Sequence, residues 1–174
     1  MNFTQQDFDE IETLANLSQK IDNIDAAYVN TVSDDIYKKQ PFLLSILLGY
    51  HNDVTPIELE ELMKIYFLIW EYFKDNKNIQ ERKLTEQLFE EYHNRNIQML
   101  SYVDSEDSDQ QTIVYKQELQ NLKSKALMTV ILYRFNNRSG LIEMNEKTRG
   151  IILIGIKTFI ECFETIVTDK MYAA

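Results

Sequence analysis

Residues 55–73 read TPIELEELMKIYFLIWEYF, and the fold turns on whether the dense second half, IYFLIWEYF (65–73), is membrane, pocket lining or core. The first four residues carry a helix start. Thr55 is an N-cap residue, Pro56 suits the first helical position, and Glu58 completes a capping box. Val54 and Leu59 stand at hydrophobic-staple spacing, so a helix is predicted from Pro56 to about Asp75. Spaced at about 100° per residue, Leu59, Leu62, Tyr66, Ile69, Trp70 and Phe73 share one face. Glu60, Glu61, Lys64, Glu71 and Asp75 gather opposite. The uncharged run is only Ile65–Trp70, whereas a membrane span needs roughly 20 apolar residues. The stretch therefore reads as an amphipathic core helix, and no membrane association is expected. Leu68 and Tyr72 project among the charges, where another helix covers them or they join a partner or homodimer surface.

The rest of the chain repeats this pattern. Four glycines and two prolines in 174 residues are too few for the many tight turns of a sandwich or barrel. Thr4 caps a first helix with Asp7 three residues on, and Phe3 and Phe8 form a staple. The face Ile11, Leu14, Leu17, Ile21, Ile24, Tyr28 follows, then a break is expected at NTVSDD (30–35). Pro41 opens PFLLSILLGYH, which should end near Gly49–Asn52. Further helices are expected near 79–103, 111–136 and 145–168, separated by KDNKN, DSEDSD and NNRSGLIEMN. In the last of them Ile152, Ile156, Phe159, Phe163 and Val167 make the buried face, with Lys157, Glu161 and Glu164 on the wet one. ALMTVILYRF (126–135) is apolar nearly all round, which suits a central helix. The predicted fold is all-α: a compact single-domain bundle of five to six mostly antiparallel helices around a central apolar helix near 111–136. Within one domain over 1–174, residues 1–35 form an acidic N-terminal helix and linker, able to dock as a separate element. Residues 41–168 form the helical core.

The net charge of −10 is unevenly placed. Asp7, Asp9, Glu10, Glu12, Asp22, Asp25, Asp34 and Asp35 face Lys20 alone in residues 1–35, and DSEDSD (104–109) adds four more acids. The remainder is close to neutral. Such zones attract a basic partner or simply form a solvated face. The lone Cys162 has no internal disulfide partner, which suits a reducing compartment. The opening MNFTQQDFDEIE has neither a basic nor an apolar leader pattern, and a cytoplasmic location is expected. The sequence pI is about 4.7. Arg134, Arg138, Lys147 and Arg149 make only a modest patch around NNRSG, so nucleic acid is not an expected partner.

Candidate chemistry is sparse. Glu90–His93 is a single E-x-x-H unit, and di-metal bundles need two; the other histidine, His51, has leucine at position 48. His51 instead falls near a helix C-terminus, where an imidazolium is favoured. Residues 104–115 fail as a calcium loop, with Asp109 where glycine is required and Tyr115 where glutamate is. Phosphate-cradling and nucleophile motifs do not occur. Cys162 lies beside Glu161 and Glu164, which oppose a thiolate. No catalytic residue, metal or cofactor is expected, and the chain reads as a non-enzyme. The first functional reading is a non-catalytic interaction protein (adaptor, regulatory subunit or immunity-type inhibitor) that turns acidic surfaces toward a basic protein. Its contact residues would be Asp7, Asp9, Glu10, Glu12, Asp34, Asp35, Asp104, Glu106, Asp107 and Asp109, with Leu68 and Tyr72 as apolar anchors. The alternative is a bundle that holds a small apolar or aromatic ligand. Tyr66, Trp70, Phe73, Tyr92, Tyr133, Phe159 and Phe163 would line its cavity, and Arg134 or Asn96 would supply polarity. Asn96 shares the apolar face of its helix, where a buried amide needs partners.

Overall fold

The computed structural model describes residues 3–103 and 117–168, the side chains of 101–103 excepted. Asp104, Glu106, Asp107 and Asp109 lie outside these residues. Every regular element among the described residues is helical: α1 Gln5–Asp22, α2 Ala26–Lys39, α3 Pro41–Gly49, α4 Pro56–Phe73, α5 Lys77–Glu81 and α6 Glu86–Val103. Residues 117–121 lie in a helix, α7, followed by α8 Lys125–Asn137, α9 Ser139–Ile142 and α10 Glu146–Thr168. Among the described residues no helix is long and apolar enough to cross a membrane.

Local chemistry sets two of the starts as expected. The Asp7 amide donates to Thr4 Oγ1 (3.3 Å) while the Thr4 amide donates to Asp7 Oδ2 (2.7 Å). Thr55 and Glu58 make the same reciprocal pair at 3.3 and 2.6 Å. The Phe3 and Phe8 rings meet at 5.7 Å.

The chain is divided more finely than the expected five to six helices. No break occurs at 30–35. The chain turns earlier, at Asn23–Asp25, where Asp25 Oδ1 caps α2 by accepting from the Tyr28 amide at 2.8 Å. Buried Val32 and Ile36 and half-buried Val29 form the apolar stripe that carries α2 through this polar stretch. The expected helix at 79–103 is two, because Gln40 stands in its path. That side chain is fully buried, and its Nε2 donates to the carbonyls of Ile79 and Arg82 at 2.7 Å each. Its Oε1 accepts from the Leu84 amide at 2.8 Å, so one glutamine satisfies the backbone groups freed between α5 and α6. Between α7 and α8 the Ser124 amide donates to Glu164 Oε1 at 2.6 Å.

The centre also differs from the expectation. α8 leaves Tyr133 66% exposed, whereas α4 buries every residue from Ile65 to Trp70 and α10 every residue from Gly155 to Phe163. α1, α3, α8 and α9 all pack on α4, while α6 and α5 pack on α10. The core is joined by aromatic contacts: Phe159 lies 4.6 Å from Phe89, 5.6 Å from Tyr66 and 6.1 Å from Phe42, ring centre to ring centre. Each such side chain contributes roughly 1.5–3 kcal/mol on burial, so α4 and α10 hold the largest share of the driving force.

Candidate functional site

Three polar residues are enclosed between α6 and α10. Asn96, Lys157 and Glu161 are 2%, 8% and 9% exposed, although a helical wheel puts Lys157 and Glu161 on the wet face of α10. α6 and α7 cover that face. Lys157 Nζ donates to Asn96 Oδ1 (2.8 Å) and Glu161 Oε1 (2.6 Å), and lies 3.1 Å from Glu118 Oε2 of α7. Asn96 Nδ2 donates to Glu161 Oε2 at 2.7 Å and to Thr158 Oγ1 at 3.0 Å. Arg95 closes the group with a bond of 2.7 Å to Glu161 Oε1, its guanidinium 4.5 Å from the Tyr92 ring centre. Two cations meet two carboxylates, and Lys157 donates to Asn96 and Glu161 while pairing with Glu118. The arrangement meets the requirement that buried charge be paired and hydrogen-bonded.

Beside this group an apolar cleft of about 370 Å³ opens between α6, α7, α8 and α10. Met99 and Leu100 come from α6, Leu119 from α7, Met128 and Leu132 from α8, and Leu153 and Ile154 from α10. Asn96, Glu118 and Lys157 bring the ionic group to its wall. Gly150 also borders the cleft, and a Cβ placed there would meet no atom within 4 Å. The space is at the small end of the roughly 300–1,000 Å³ range of ligand pockets, and its chemistry is theirs: apolar walls with a few convergent polar groups.

The aromatic residues expected to line one cavity are not gathered in this cleft. Tyr66, Trp70, Phe73, Phe159 and Phe163 are 0–5% exposed and belong to the packed core. Tyr92 borders a polar groove with Arg95 and Lys123. Tyr133 and Arg134 line a separate groove of about 590 Å³ between α1 and α8. Asn96 alone of that set reaches the apolar cleft. Met99, Leu100, Leu119, Leu132, Leu153 and Ile154 are ordinary apolar residues that converge from four different helices, which no single helical wheel shows. The available signal was polar: Lys157 and Glu161 one turn apart, with Asn96 on an apolar face.

Of the six described acids expected to contact a partner, Asp7, Glu10 and Asp35 are engaged within the fold. Asp7 Oδ2 is 3.1 Å from Lys125 Nζ, and its backbone and side-chain bonds to Thr4, with that lysine, hold its carboxyl below the ordinary value. Glu10 accepts from the Tyr72 hydroxyl at 2.5 Å, and burial together with this carboxylate raises the phenol pKa. Asp35 pairs with Lys39 at 2.8 Å. Asp9, Glu12 and Asp34 are exposed, Asp9 accepting from Gln5 at 2.9 Å. Leu68 is 1% exposed, so the covering helices remove it as an anchor, and Tyr72 ties α4 to α1. The basic patch is also engaged. Arg134 is 2% exposed, donates to Ser18 (2.7 Å) and Glu61 (2.8 Å), and pairs with Asp22 (2.8 Å). Arg138 also pairs with Asp22, and Arg149 donates to Asn136 at 2.8 Å.

Other chemistry-bearing groups are placed as follows. His93 stacks on Phe89 at 5.4 Å, and burial lowers its pKa, while Glu90 is exposed. Cys162 is fully buried, and burial first, then the Glu161 charge, pushes its thiol up to about 12. Among the described residues there is no group of three or more His, Cys, Asp or Glu side chains able to hold a metal ion. Comparison with known proteins gives no match: no family model, curated protein or solved structure is significantly similar to this chain.

Proposed function

We propose that this chain is a non-catalytic binding protein that takes a small apolar molecule into the cleft between α6, α7, α8 and α10. The observation that carries this reading is the cleft itself: about 370 Å³, walled by aliphatic and methionine side chains, with Lys157 and Asn96 at its edge. Unlike the aromatic core, this space is not filled by the surrounding described side chains. Methionines such as Met99 and Met128 adapt to ligands of differing shape. Titration with an uncharged naphthylamine dye tests the reading. Saturable fluorescence enhancement is expected in the folded protein and is lost in Ile154→Arg, which puts a long charged side chain at a half-buried cleft position. Enhancement that does not saturate, or that survives this substitution, overturns the proposal.

A second reading, docking of a basic protein, is supported by α2, where exposed Asp34 and exposed Tyr37 lie on one helical face. It predicts stoichiometric, salt-sensitive capture of one basic protein, weakened by Asp9→Asn, Glu12→Gln and Asp34→Asn together. Capture that is indifferent to these changes removes it.

A further inference from the structure

Resting on the cleft reading, we infer that the ligand is an apolar chain ending in a carboxylate, which takes the place of Glu118 on Lys157. The acceptors around Lys157 Nζ are not equally held. Asn96 is fixed by its bonds to Thr158 and Glu161, and Glu161 by three donors from Asn96, Arg95 and Lys157. Both stand on long helices, α6 and α10. Glu118 makes the longest contact, 3.1 Å, its side chain is 28% exposed, and it lies at the cleft wall. It is the member that can turn to solvent without unfolding the rest.

Charge then selects what replaces it. With Glu118 turned away, Lys157 keeps Glu161 and Asn96 but loses the carboxylate at the cleft wall, while Arg95, its side chain 57% exposed, stays solvated. The buried ammonium then has room for one more anionic partner on its cleft side. A single carboxylate on the ligand restores that ion-pair partner, while its hydrocarbon chain lies against Leu153, Ile154 and Met128. An alcohol can accept from the ammonium but brings no negative charge, and an amine sets a second cation beside Lys157.

Octanoate, octanol and octylammonium, each competing with the naphthylamine dye on the full chain, test this assignment in wild type and Glu118→Gln. Glu118 is half-buried at the edge of the network, and an unchanged melting temperature of Glu118→Gln confirms that it folds. Octanoate is expected to compete best in wild type. Removing the competing carboxylate should tighten octanoate by about tenfold, the scale of one charge-assisted hydrogen bond, and leave octanol nearly unchanged. If octanoate and octanol compete equally in both proteins, the carboxylate assignment fails while the cleft reading stands. If the dye binds saturably but Glu118→Gln weakens octanoate, the replacement of Glu118 is refuted. If the dye itself does not bind saturably, the cleft reading fails and this inference with it.

Discussion

Gly150 and Gly155 stand five residues apart in α10, and replacing each by alanine should change stability in opposite directions. In an open helical position the exchange is favourable, since glycine is about 0.8–1.0 kcal/mol worse than alanine in a helix interior. A Cβ on Gly150 would meet nothing within 4 Å, so Gly150→Ala should stabilise by about 0.5–1 kcal/mol, the lower figure reflecting its place near the helix start. A Cβ on Gly155 would lie 2.7 Å from Tyr50 Oη, closer than real contacts allow. Tyr50 is not free to retreat, because its ring is packed edge-on against Tyr66 at 6.5 Å. Overpacking of this kind costs about 1–3 kcal/mol, so after the helical gain Gly155→Ala should destabilise by about 1 kcal/mol. The contact is with the hydroxyl oxygen, which Tyr50→Phe removes. In the Tyr50→Phe background the Gly155→Ala substitution should turn neutral or stabilising, an interaction of about 1–3 kcal/mol in a double-mutant cycle. Urea unfolding followed by far-ultraviolet circular dichroism reads wild type and the four variants. A Gly155→Ala cost that persists unchanged in Tyr50→Phe would refute the close approach of η1 and α10, where η1 is the single turn Tyr50–Asn52 after α3.

Two further outcomes are expected. Arg134→Met should destabilise by about 2–4 kcal/mol, below the full 3–5 kcal/mol of an orphaned buried pair because Asp22 keeps Arg138 and Glu61 keeps Lys64; a loss under 1 kcal/mol by urea unfolding would show that this cluster does not hold α1 to α4 and α8. Asp7→Asn should lower stability at neutral pH. The folded carboxyl titrates below its ordinary value of 3.8, so the benefit of the charge is present above that pH and the wild-type advantage should close as pH falls through the lowered value. A difference that stays constant from neutral pH down past that point, followed by thermal melts, would refute it.

What could be read from sequence is what depends on near neighbours in the chain. The Thr4–Asp7 and Thr55–Glu58 caps span three residues, and the stripe from Leu62 to Phe73 needs only the helical repeat, so both are encoded locally. The same stripe answered the membrane question, since the charges flanking Ile65–Trp70 are visible without coordinates. Asp25 was a missed cap, because the polar run at 30–35 looked like a stronger break than the turn that precedes it.

Burial, by contrast, is a property of what packs on a helix, and a wheel shows one helix at a time. Leu68 on α4 and Lys157 and Glu161 on α10 all sit among charges on their own wheels, yet neighbouring helices cover them. Gln40 divides α5 from α6 through bonds that cross about forty residues of chain, which no local pattern announces. The cleft is a still more collective object, bounded among the described residues by α6, α7, α8 and α10. Neighbours along the chain thus set the helical class, two helix starts and the apolar stripes. Tertiary packing decided which stripe became the centre, which acids were neutralised at home, and where a space remained, because those depend on groups that meet only after the chain has folded.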